Sequence, residues 1–271
     1  MTLETSRTSA SADGARTPPK SKGARLSYIN ERVRSVGFVA VDDLVDELEV
    51  SRMTVHRDLD ELQSSGALRK VRGGASAHRS TQFESDLQFR LNAETEEKQR
   101  IAAVAAQFAN DGDVVLMDDS TTALGLIPHL EERAPFTVIT NFLPVLERLS
   151  ANPQMKVIGL GGQYVARYAA FLGMICEENL GALFADVAFI STSSMRNGVL
   201  YHQDQQVLAT KRAMMEASDR RVLLMDHTKI GQAALFKLGD ISDFTHIVVD
   251  DKTDESVVSM IRDHGVDVVV A

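Results

Sequence analysis

Residues 51–57 concentrate side chains that can bind a nucleic acid. An arginine donates two parallel hydrogen bonds to the edge of a guanine, and a hydroxyl or a histidine bonds a phosphate or a single acceptor. Val55, Leu59 and Leu62 recur at helical spacing, so the polar side chains would lie on the other face of a helix that begins at residue 51. The candidate DNA contacts are Ser51, Arg52, Met53, Thr54, His56 and Arg57.

The elements around this recognition helix predict a helix-turn-helix followed by a hairpin wing. An amphipathic pattern over residues 41–48 predicts the preceding short helix. A short strand after the recognition helix carries Lys70 and Arg72, which would bind the flanking DNA backbone, and Gly73 and Gly74 close it. The alternative interpretation is a small helical bundle whose polar face is merely solvated.

A second group of polar residues follows the ends of predicted strands. Because the carboxyl ends of parallel strands meet at one edge of a sheet, these residues would converge on a pocket for a polar ligand. Hydroxyl and backbone N–H groups at residues 120–122 begin a helix and suit a phosphate. The candidate ligand contacts are Asp118, Ser120, Thr121, Thr122, Asn141, Gly161, Gly162, Ser193, Lys211, Asp226 and Lys229.

Each of these features also has an ordinary structural interpretation. Helix capping accounts for the hydroxyls at residues 120–122, and a solvated surface accounts for Lys211 and Lys229. A simple turn accounts for Gly161 and Gly162. Their linear order along the chain favours a pocket.

The residues around the recognition helix resemble the DeoR family of bacterial transcriptional regulators. The resemblance lies in residues 51–59 and 72–75, which are similar to the winged helix-turn-helix of that family. His56 stands where the family has the first arginine of a pair. The resemblance implies that the helix beginning at residue 51 docks on DNA.

The C-terminal part resembles the sensor domain of the same family over about residues 94–251. The family motifs Asp-x-Gly-Thr-Thr, Thr-Asn, Gly-Gly and Asp-x-x-Lys-x-Gly correspond, in that order, to residues 118–122, 140–141, 161–162 and 226–231. The resemblance implies a fold similar to ribose-phosphate isomerases and a phosphorylated sugar or related metabolite as effector. It further implies that the pocket is lined by Asp118, Thr121, Thr122, Asn141, Lys211 and Lys229.

Three places depart from the family pattern. Ser120 stands where the family usually has glycine, and residues 191–194 read Ser-Thr-Ser-Ser in place of Gly-Ala-Ser-Gly. Gln205 and Gln206 occupy positions that are usually acidic. These departures indicate a nonstandard effector or a weakened response to it.

Apolar runs alternate with helical segments after residue 94. Runs that are apolar throughout predict strands covered on both faces, and their alternation with helices predicts a mostly parallel sheet. We therefore expect an α/β protein, with an N-terminal winged helix-turn-helix and a larger, Rossmann-like C-terminal α/β domain. The predicted strands are 114–117, 137–140, 156–160, 187–191, 222–225, 246–249 and 266–270.

Composition divides the chain into four parts. Residues 1–24 have almost no large apolar side chains, which predicts a disordered tail. The predicted winged helix-turn-helix covers residues 25–75, a polar linker covers 76–93, and the effector-sensing domain covers 94–271.

Charge and composition exclude several classes of protein. The 271 residues include one cysteine, which rules out an internal disulfide, and no apolar run approaches the roughly 18 residues that a membrane span needs. The net charge is −9, yet residues 1–80 carry 13 Lys or Arg against 11 Asp or Glu, whereas residues 81–271 carry 16 against 27. The cationic excess therefore lies in the N-terminal 80 residues, which include the predicted DNA-binding part. The absence of a secretory signal predicts a cytoplasmic protein.

No motif for a cofactor, a metal or a catalytic nucleophile is recognisable. The dinucleotide fingerprint fails because Tyr164 stands where its third glycine is required, and the seven histidines are scattered. We expect neither a cofactor nor a metal.

Together these patterns predict a DNA-binding transcriptional regulator, a repressor of carbohydrate-metabolism genes that a phosphorylated sugar or related metabolite controls. Its expected partners are a double-stranded operator, the effector and further copies of the chain in a homodimer or homotetramer, since two half-sites are normally read together. No membrane and no enzymatic activity are expected. The alternative is a sugar-phosphate isomerase-like enzyme fused to a DNA-binding module, with Asp118 and Lys211 as acid or base. A third interpretation is a DNA-binding scaffold with a vestigial pocket.

Overall fold

The computed structural model describes residues 21–36, 38–65, 67–76 and 87–271. These residues belong to two units, which divide between residues 79 and 80. The predicted tail over residues 1–24 lies outside the described residues up to residue 20, and its last residues belong to the first helix. Most of the predicted linker, residues 77–86, also lies outside them.

The first unit packs three helices against a small sheet. Its fully buried apolar side chains include Ile29, Leu44, Val55 and Leu59, which share one core. These residues are spaced at helical intervals within their segments, so each helix buries one face. The elements in chain order are α1 (Lys22–Val36), β1 (Phe38–Ala40), α2 (Val41–Leu48), α3 (Arg52–Ser64), β2 (Arg69–Val71) and β3 (Gly74–Ser76).

The wing is a three-stranded antiparallel sheet in the order β1-β3-β2. The predicted hairpin corresponds to β2 and β3, whereas β1 was not predicted. Val39 in β1 is buried and pairs with Ala75, while its neighbour Phe38 is half exposed. A strand of three residues is too short to show an alternating pattern, which is why the sequence did not reveal it.

The turn between β2 and β3 requires glycine at two successive positions for two different reasons. Gly73 has a φ of +83°, a backbone conformation that residues with a Cβ rarely adopt. Gly74 has an ordinary φ, but a Cβ there would lie 2.3 Å from Val39 O and 2.7 Å from the Phe38 ring. The close approach of β3 to β1 therefore depends on the missing side chain.

The second unit begins with two helices and continues as alternating strands and helices. The helices are α4 (Leu87–Asn92), α5 (Thr95–Ala105), α6 (Thr121–Leu124), α7 (Ile127–Glu131), α8 (Leu143–Leu149), α9 (Met174–Gly181), α10 (Gln205–Glu216) and α11 (Glu255–Asp263). The strands are β4 (Val114–Met117), β5 (Thr137–Thr140), β6 (Lys156–Gly159), β7 (Gln163–Val165), β8 (Ala170–Leu172), β9 (Ala185–Ser191), β10 (Ser194–Arg196), β11 (Val199–His202), β12 (Ser218–Met225), β13 (Phe236–Asp240), β14 (His246–Val249) and β15 (Asp267–Val270).

Seven of these strands form one parallel sheet in the order β15-β14-β12-β9-β4-β5-β6. They correspond to the seven predicted apolar runs, and the predicted α/β fold class is confirmed. In β4, Val115 and Met117 face one hydrophobic core and Leu116 faces the other, and all three are fully buried. Helices therefore cover both faces of the sheet, as continuous apolar strands require.

Two smaller antiparallel sheets and one helix depart from the predictions. Strands β7 and β8 form a hairpin, and β10, β11 and β13 form a separate sheet in that order. Most of these strands have three or four residues, too few for a periodic signal. Helix α4 lies within residues predicted as linker, and it has six residues, fewer than two helical turns.

Substituting Gly74 with alanine should destabilise the first unit. The new Cβ would collide with backbone and a packed ring, and overpacking of this kind typically lowers the free energy of unfolding by about 1–3 kcal/mol. Gly23→Ala is the matched control, because Gly23 lies in α1 with no atom within 4 Å of the place that a Cβ would occupy, and alanine stabilises helices by roughly 0.5–1 kcal/mol. Urea denaturation followed by circular dichroism would measure both. Equal stability of the two variants would contradict the close approach of β3 to β1.

Candidate functional site

Helix α3 presents its first two turns to solvent. Ser51 Oγ accepts a hydrogen bond from Thr54 N at 3.2 Å and so caps the helix. The side chains of Arg52, Met53 and Arg57 are exposed, with 72% of Met53 accessible. The structure therefore gathers these predicted DNA contacts on the solvent side of the helix start.

A buried ion pair holds α3 against α1. Asp58 on α3 is 1% exposed, and its two oxygens lie 2.8 Å from Arg25 Nε and 3.1 Å from Arg25 Nη2. Such a two-pronged pair sets orientation as well as distance. The sequence analysis did not identify this pair, because its members lie 33 residues apart.

Two of the predicted DNA-contacting cations are paired with carboxylates. Arg52 forms an ion pair with Asp42 of α2, and Lys70 forms one with Asp60 of α3. Exposed pairs of this kind contribute little to stability. Neither pair therefore commits its cation strongly to the carboxylate.

His56 and Arg72 differ in exposure. His56 is half buried, and its Nδ1 has no hydrogen-bond partner among the described residues. Arg72 is exposed at the turn between β2 and β3, at the tip of the wing.

The centre of the second unit is a buried cluster of one lysine and two aspartates. Lys211 Nζ bonds Asp118 Oδ2 and lies 2.9 Å from Asp119 Oδ1. The three side chains are between 0% and 4% exposed. Lys211 and Asp118 were predicted to share a pocket, and the structure brings them into direct contact.

The backbone positions these charges. Asp118 accepts hydrogen bonds from Ser120 N at 3.0 Å and from Ser191 N at 2.7 Å, so it joins the loop after β4 to the end of the adjacent strand β9. Lys211 comes from α10, whose first turn is capped by Asp204. The carboxyl ends of β4 and β9 therefore meet α10 at the cluster.

Burial and neighbouring charges act in opposite directions on the pKa values of Asp119 and Lys211. Burial raises the pKa of Asp119, but the positive charges of Lys211 and Arg90 more than offset this and hold that pKa below its usual value. Burial lowers the pKa of Lys211, but Asp118 and Asp119 more than offset this and hold it above its usual value. The lysine and the aspartate are therefore both charged at neutral pH.

Three side chains at this site were not predicted. Asp119 lies in the same loop as Asp118, and its position beside a predicted site residue was the available signal. Arg90 of α4 donates from Nη1 to Asp119 O at 2.7 Å, although it was assigned to the linker. His202 at the end of β11 is buried, and burial together with the charge of Lys211 lowers its pKa to about 4.

Two predicted residues carry buried atoms without a partner. Asn141 donates from Nδ2 to Phe171 O at 3.0 Å, but its Oδ1 has no hydrogen-bond partner among the described residues. Thr122 Oγ1 is also buried and has no hydrogen-bond partner within the described part of the chain. Buried polar atoms are nearly always bonded, so a ligand with hydroxyl groups would supply suitable partners.

The other two hydroxyls of the loop bond to the protein itself. Ser120 Oγ accepts from Ala123 N at 3.0 Å and caps α6. Thr121 Oγ1 donates to Arg90 O at 3.0 Å. Helix capping therefore accounts for the Ser120 side chain, as the ordinary interpretation of this loop had it.

Lys229 and Asp226 lie next to the cluster. Lys229 Nζ donates to Ser191 Oγ at 3.0 Å and lies 3.7 Å from Asp226 Oδ2. Because Ser191 N also bonds Asp118, these residues adjoin the buried cluster. The side chain of Lys229 is 17% exposed, so it is more accessible than Lys211.

Gly161, Gly162 and Ser193 have other surroundings. Gly162 has a φ of +145°, and a Cβ there would lie 2.6 Å from Leu172 O, so its glycine lets the chain approach β8. Gly161 has open space around it. Ser193 lies between β9 and β10, and none of the described contacts joins its side chain to the Lys211 cluster.

Within the described ranges, no group of three or more His, Cys, Asp or Glu side chains is placed to hold a metal ion. No helix in the same ranges is long and apolar enough to cross a bilayer.

Comparison with known families accounts for both halves of the chain. The family model of the DeoR-like helix-turn-helix domain matches residues 25–81, and that of the DeoR C terminal sensor domain matches residues 93–251. This chain belongs to the DeoR family. The membership confirms the resemblance drawn from the recognition helix and from the order of the sensor motifs.

Other members of the DeoR family are similar over nearly their whole length. The uncharacterized HTH-type transcriptional regulator YgbI of Escherichia coli is 32% identical over 86% of this chain and 91% of its own. The transcriptional repressor AccR of Agrobacterium fabrum is 30% identical over 84% and 90%, respectively. The glycerol-3-phosphate regulon repressor of Escherichia coli is 29% identical over 89% and 96%.

Among solved structures, ribose 5-phosphate isomerase A from Methanocaldococcus jannaschii matches 51% of this chain and 55% of its own, with 15% identity and a TM-score of 0.38. The eIF2B delta subunit from Chaetomium thermophilum matches 83% and 87%, with 15% identity and a TM-score of 0.43. Both likenesses are too distant to bear on activity.

The stability of this DeoR-family sensor unit should fall as the pH is lowered from about 6.5 to about 4. The pKa of His202 is about 4 in the folded chain and 6.5 in the unfolded chain, so the unfolded state binds the proton first. The stability that the neutral His202 contributes is present above pH 6.5 and is lost as the pH falls, by roughly 3 kcal/mol. Urea denaturation across this range should show a shallower dependence in His202→Gln.

His264→Gln is the control for that experiment, because it removes an exposed histidine from the same unit. Stability should depend more steeply on pH in His264→Gln than in His202→Gln. A His202→Gln profile that matches the parent would show that His202 is not held neutral.

Proposed function

We propose that this protein is a repressor of carbohydrate-metabolism genes that binds an operator duplex through α3 and its wing. A phosphorylated sugar bound beside Lys211 would control that binding. The observation that carries the proposal is the start of α3, where a capped helix turns Arg52 and Arg57 toward solvent while a buried ion pair fixes the helix from behind. Relatives with 29–30% identity include two that are named as repressors, one of them of the glycerol-3-phosphate regulon, and one that is named as an operon activator.

In the proposed complex α3 lies in the major groove. Arg57 and His56 then face base edges, and the free backbone N–H groups at the helix start face a phosphate. Arg72 and Lys70 on the wing bind the flanking backbone. A symmetric operator needs two such helices, so we propose a homodimer or homotetramer that acts in the cytoplasm.

In the proposed effector site the anionic end of the ligand contacts Lys229. Lys211 is already bonded to two carboxylates, whereas Lys229 retains an exposed surface beside the same cluster. The hydroxyl groups of the ligand bond Thr122 and Asn141, each of which has an unpartnered buried oxygen among the described residues. This division suits a polyol that carries one phosphate.

The same geometry favours sensing over the alternative, an isomerase-like enzyme. A catalytic base needs a free lone pair, and the protonated Lys211 has none. Asp118 accepts from Lys211, from Ser120 N and from Ser191 N, so both of its oxygens are engaged. We therefore propose that the effector is bound without being converted.

Arg57→Ala should weaken operator binding without disturbing the sensor unit. Loss of a base-contacting arginine typically costs about 1–3 kcal/mol of binding free energy. The measurement is fluorescence anisotropy with a duplex that the parent protein selects from a random pool. Arg262→Ala is the matched control, since Arg262 is an exposed arginine of α11 with a carboxylate partner. Arg57→Ala and Arg262→Ala binding with equal affinity would contradict the assigned docking helix.

Thr122→Val should weaken effector binding while leaving stability unchanged or higher. The substitution removes a buried hydroxyl that has no partner among the described residues, so it costs the folded protein little. Loss of one hydrogen bond to the ligand should lower affinity roughly 2–10-fold. Isothermal titration calorimetry with phosphorylated sugars measures the affinity, and chromatography of the same mixtures detects any turnover.

Thr253→Val is the control for the effector, because Thr253 Oγ1 is likewise buried without a described partner but follows β14, which two other strands separate from β4. Its effector affinity should match that of the parent. A uniform lack of heat across the sugar phosphates would favour a vestigial pocket, and conversion of any of them would favour the enzyme.

A further inference from the structure

Helix α4 is the first described element of the sensor unit. It begins at Leu87, the first described residue after β3 ends at Ser76. Among the described elements of the sensor unit, α4 is therefore the nearest in sequence to the DNA-binding unit. What α4 touches decides which part of the sensor unit can act on it.

The side chain of Arg90 ties α4 to the effector loop. Nη1 donates to Asp119 O at 2.7 Å, and Nη2 donates to Tyr168 O at 3.3 Å. The guanidinium also lies 5.7 Å from the centre of the Tyr168 ring. One cation of α4 therefore joins two segments that border the proposed site.

The backbone of Arg90 is held by the same loop. Thr121 Oγ1 donates to Arg90 O at 3.0 Å, and Lys98 of α5 donates to the same oxygen. The side chain of residue 90 thus binds loop residue 119, and loop residue 121 binds the main chain of residue 90. A displacement of the loop must displace α4 or break these bonds.

A second connection leads from α4 to the helix of Lys211. Leu87 N donates to Arg167 O at 3.1 Å. Arg167 forms an ion pair with Asp204, and Tyr168 Oη donates to the same carboxylate at 3.3 Å. Asp204 is the residue that caps α10, on which Lys211 lies. The loop of Asp118 and Asp119 is therefore linked to α4 directly, and the helix of Lys211 is linked to α4 through Arg167, Tyr168 and Asp204.

We infer that Arg90 is a positioning residue that transmits occupancy of the effector site to α4, and through the chain to the DNA-binding unit. The inference rests on the proposed function. In the proposed effector site the ligand bonds Thr122. Thr122 directly follows Thr121, which donates to the main chain of Arg90, and Asp119 of the same loop accepts from the Arg90 side chain. A ligand that shifts this loop therefore moves α4 through Arg90 without contacting the guanidinium.

The test separates effector binding, DNA binding and the coupling between them. Full-length protein is titrated with the duplex selected from a random pool, with and without saturating glycerol 3-phosphate or glucose 6-phosphate, and glycerol and glucose serve as unphosphorylated controls. Coupled sites typically change each other's affinity by about 5–150-fold. The parent protein should show such a change with at least one of the phosphates. In Arg90→Gln the change should fall to near one, while DNA affinity without effector stays that of the parent.

Two further variants exclude a merely structural role. Arg133→Gln is the matched control, because Arg133 also donates to two backbone carbonyls, at 2.9 and 2.7 Å, and lies 5.8 Å from an aromatic ring in the same unit. Its coupling should equal that of the parent. Arg90→Lys keeps the charge but loses the two-pronged geometry, so its coupling should be intermediate. If Arg90→Gln does not fold, Arg90→Lys decides the question.

Hydrogen exchange gives an independent readout. In the parent protein the effective phosphate should change exchange at residues 87–92 as well as at residues 118–122. In Arg90→Gln only the second change should persist. A parent protein that responds to no phosphate would overturn both the proposed function and this inference. A full response in Arg90→Gln, or no exchange change at α4 in the parent, would overturn the inference alone.

Discussion

The sensor unit depends on a lysine buried between two aspartates. Removing any one of these charges from water is costly, and only the opposite charges beside it offset that cost. The charges of Lys211, Asp118 and Asp119 are therefore offset by their oppositely charged neighbours. A buried charge without such a neighbour would destabilise the fold. Because they come from α10 and from the loop after β4, the cluster exists only when helix and sheet are packed.

This cluster also determines what the site can offer to a ligand. Lys211 faces two carboxylates, so its charge is already balanced, and the accessible cation beside it is Lys229. The Ser120 hydroxyl takes up an N–H of α6 that a glycine in its place would leave unbonded. Compared with the family pattern, the loop therefore has one more of its hydrogen-bonding groups bonded within the protein, so we propose that the atoms around the loop recognise the effector. The unpartnered oxygens of Thr122 and Asn141 are such atoms within the described part of the chain.

The first unit also has an ion pair beside its hydrophobic core, which is smaller. Apolar packing is non-directional, so by itself it specifies the rotation of α3 only weakly. The buried two-pronged pair between Arg25 and Asp58 adds a direction to that packing. With α3 fixed from behind, its front can carry exposed arginines and a methionine at little cost to stability. The proposed DNA-binding surface and the ion pair that orients α3 therefore lie on opposite faces of this helix.

The amino-acid sequence by itself determined the recognition helix and the main sheet, because helical spacing and continuous apolar runs are local signals. It predicted the capped helix at Ser51, the seven strands of the parallel sheet and the polar residues at their ends. Only the tertiary structure decided which of those residues meet. It joined Arg90, assigned to a linker, to the loop of Asp118, and it buried His202 beside Lys211. Such meetings depend on segments far apart in the chain, and no local pattern records the distance between them.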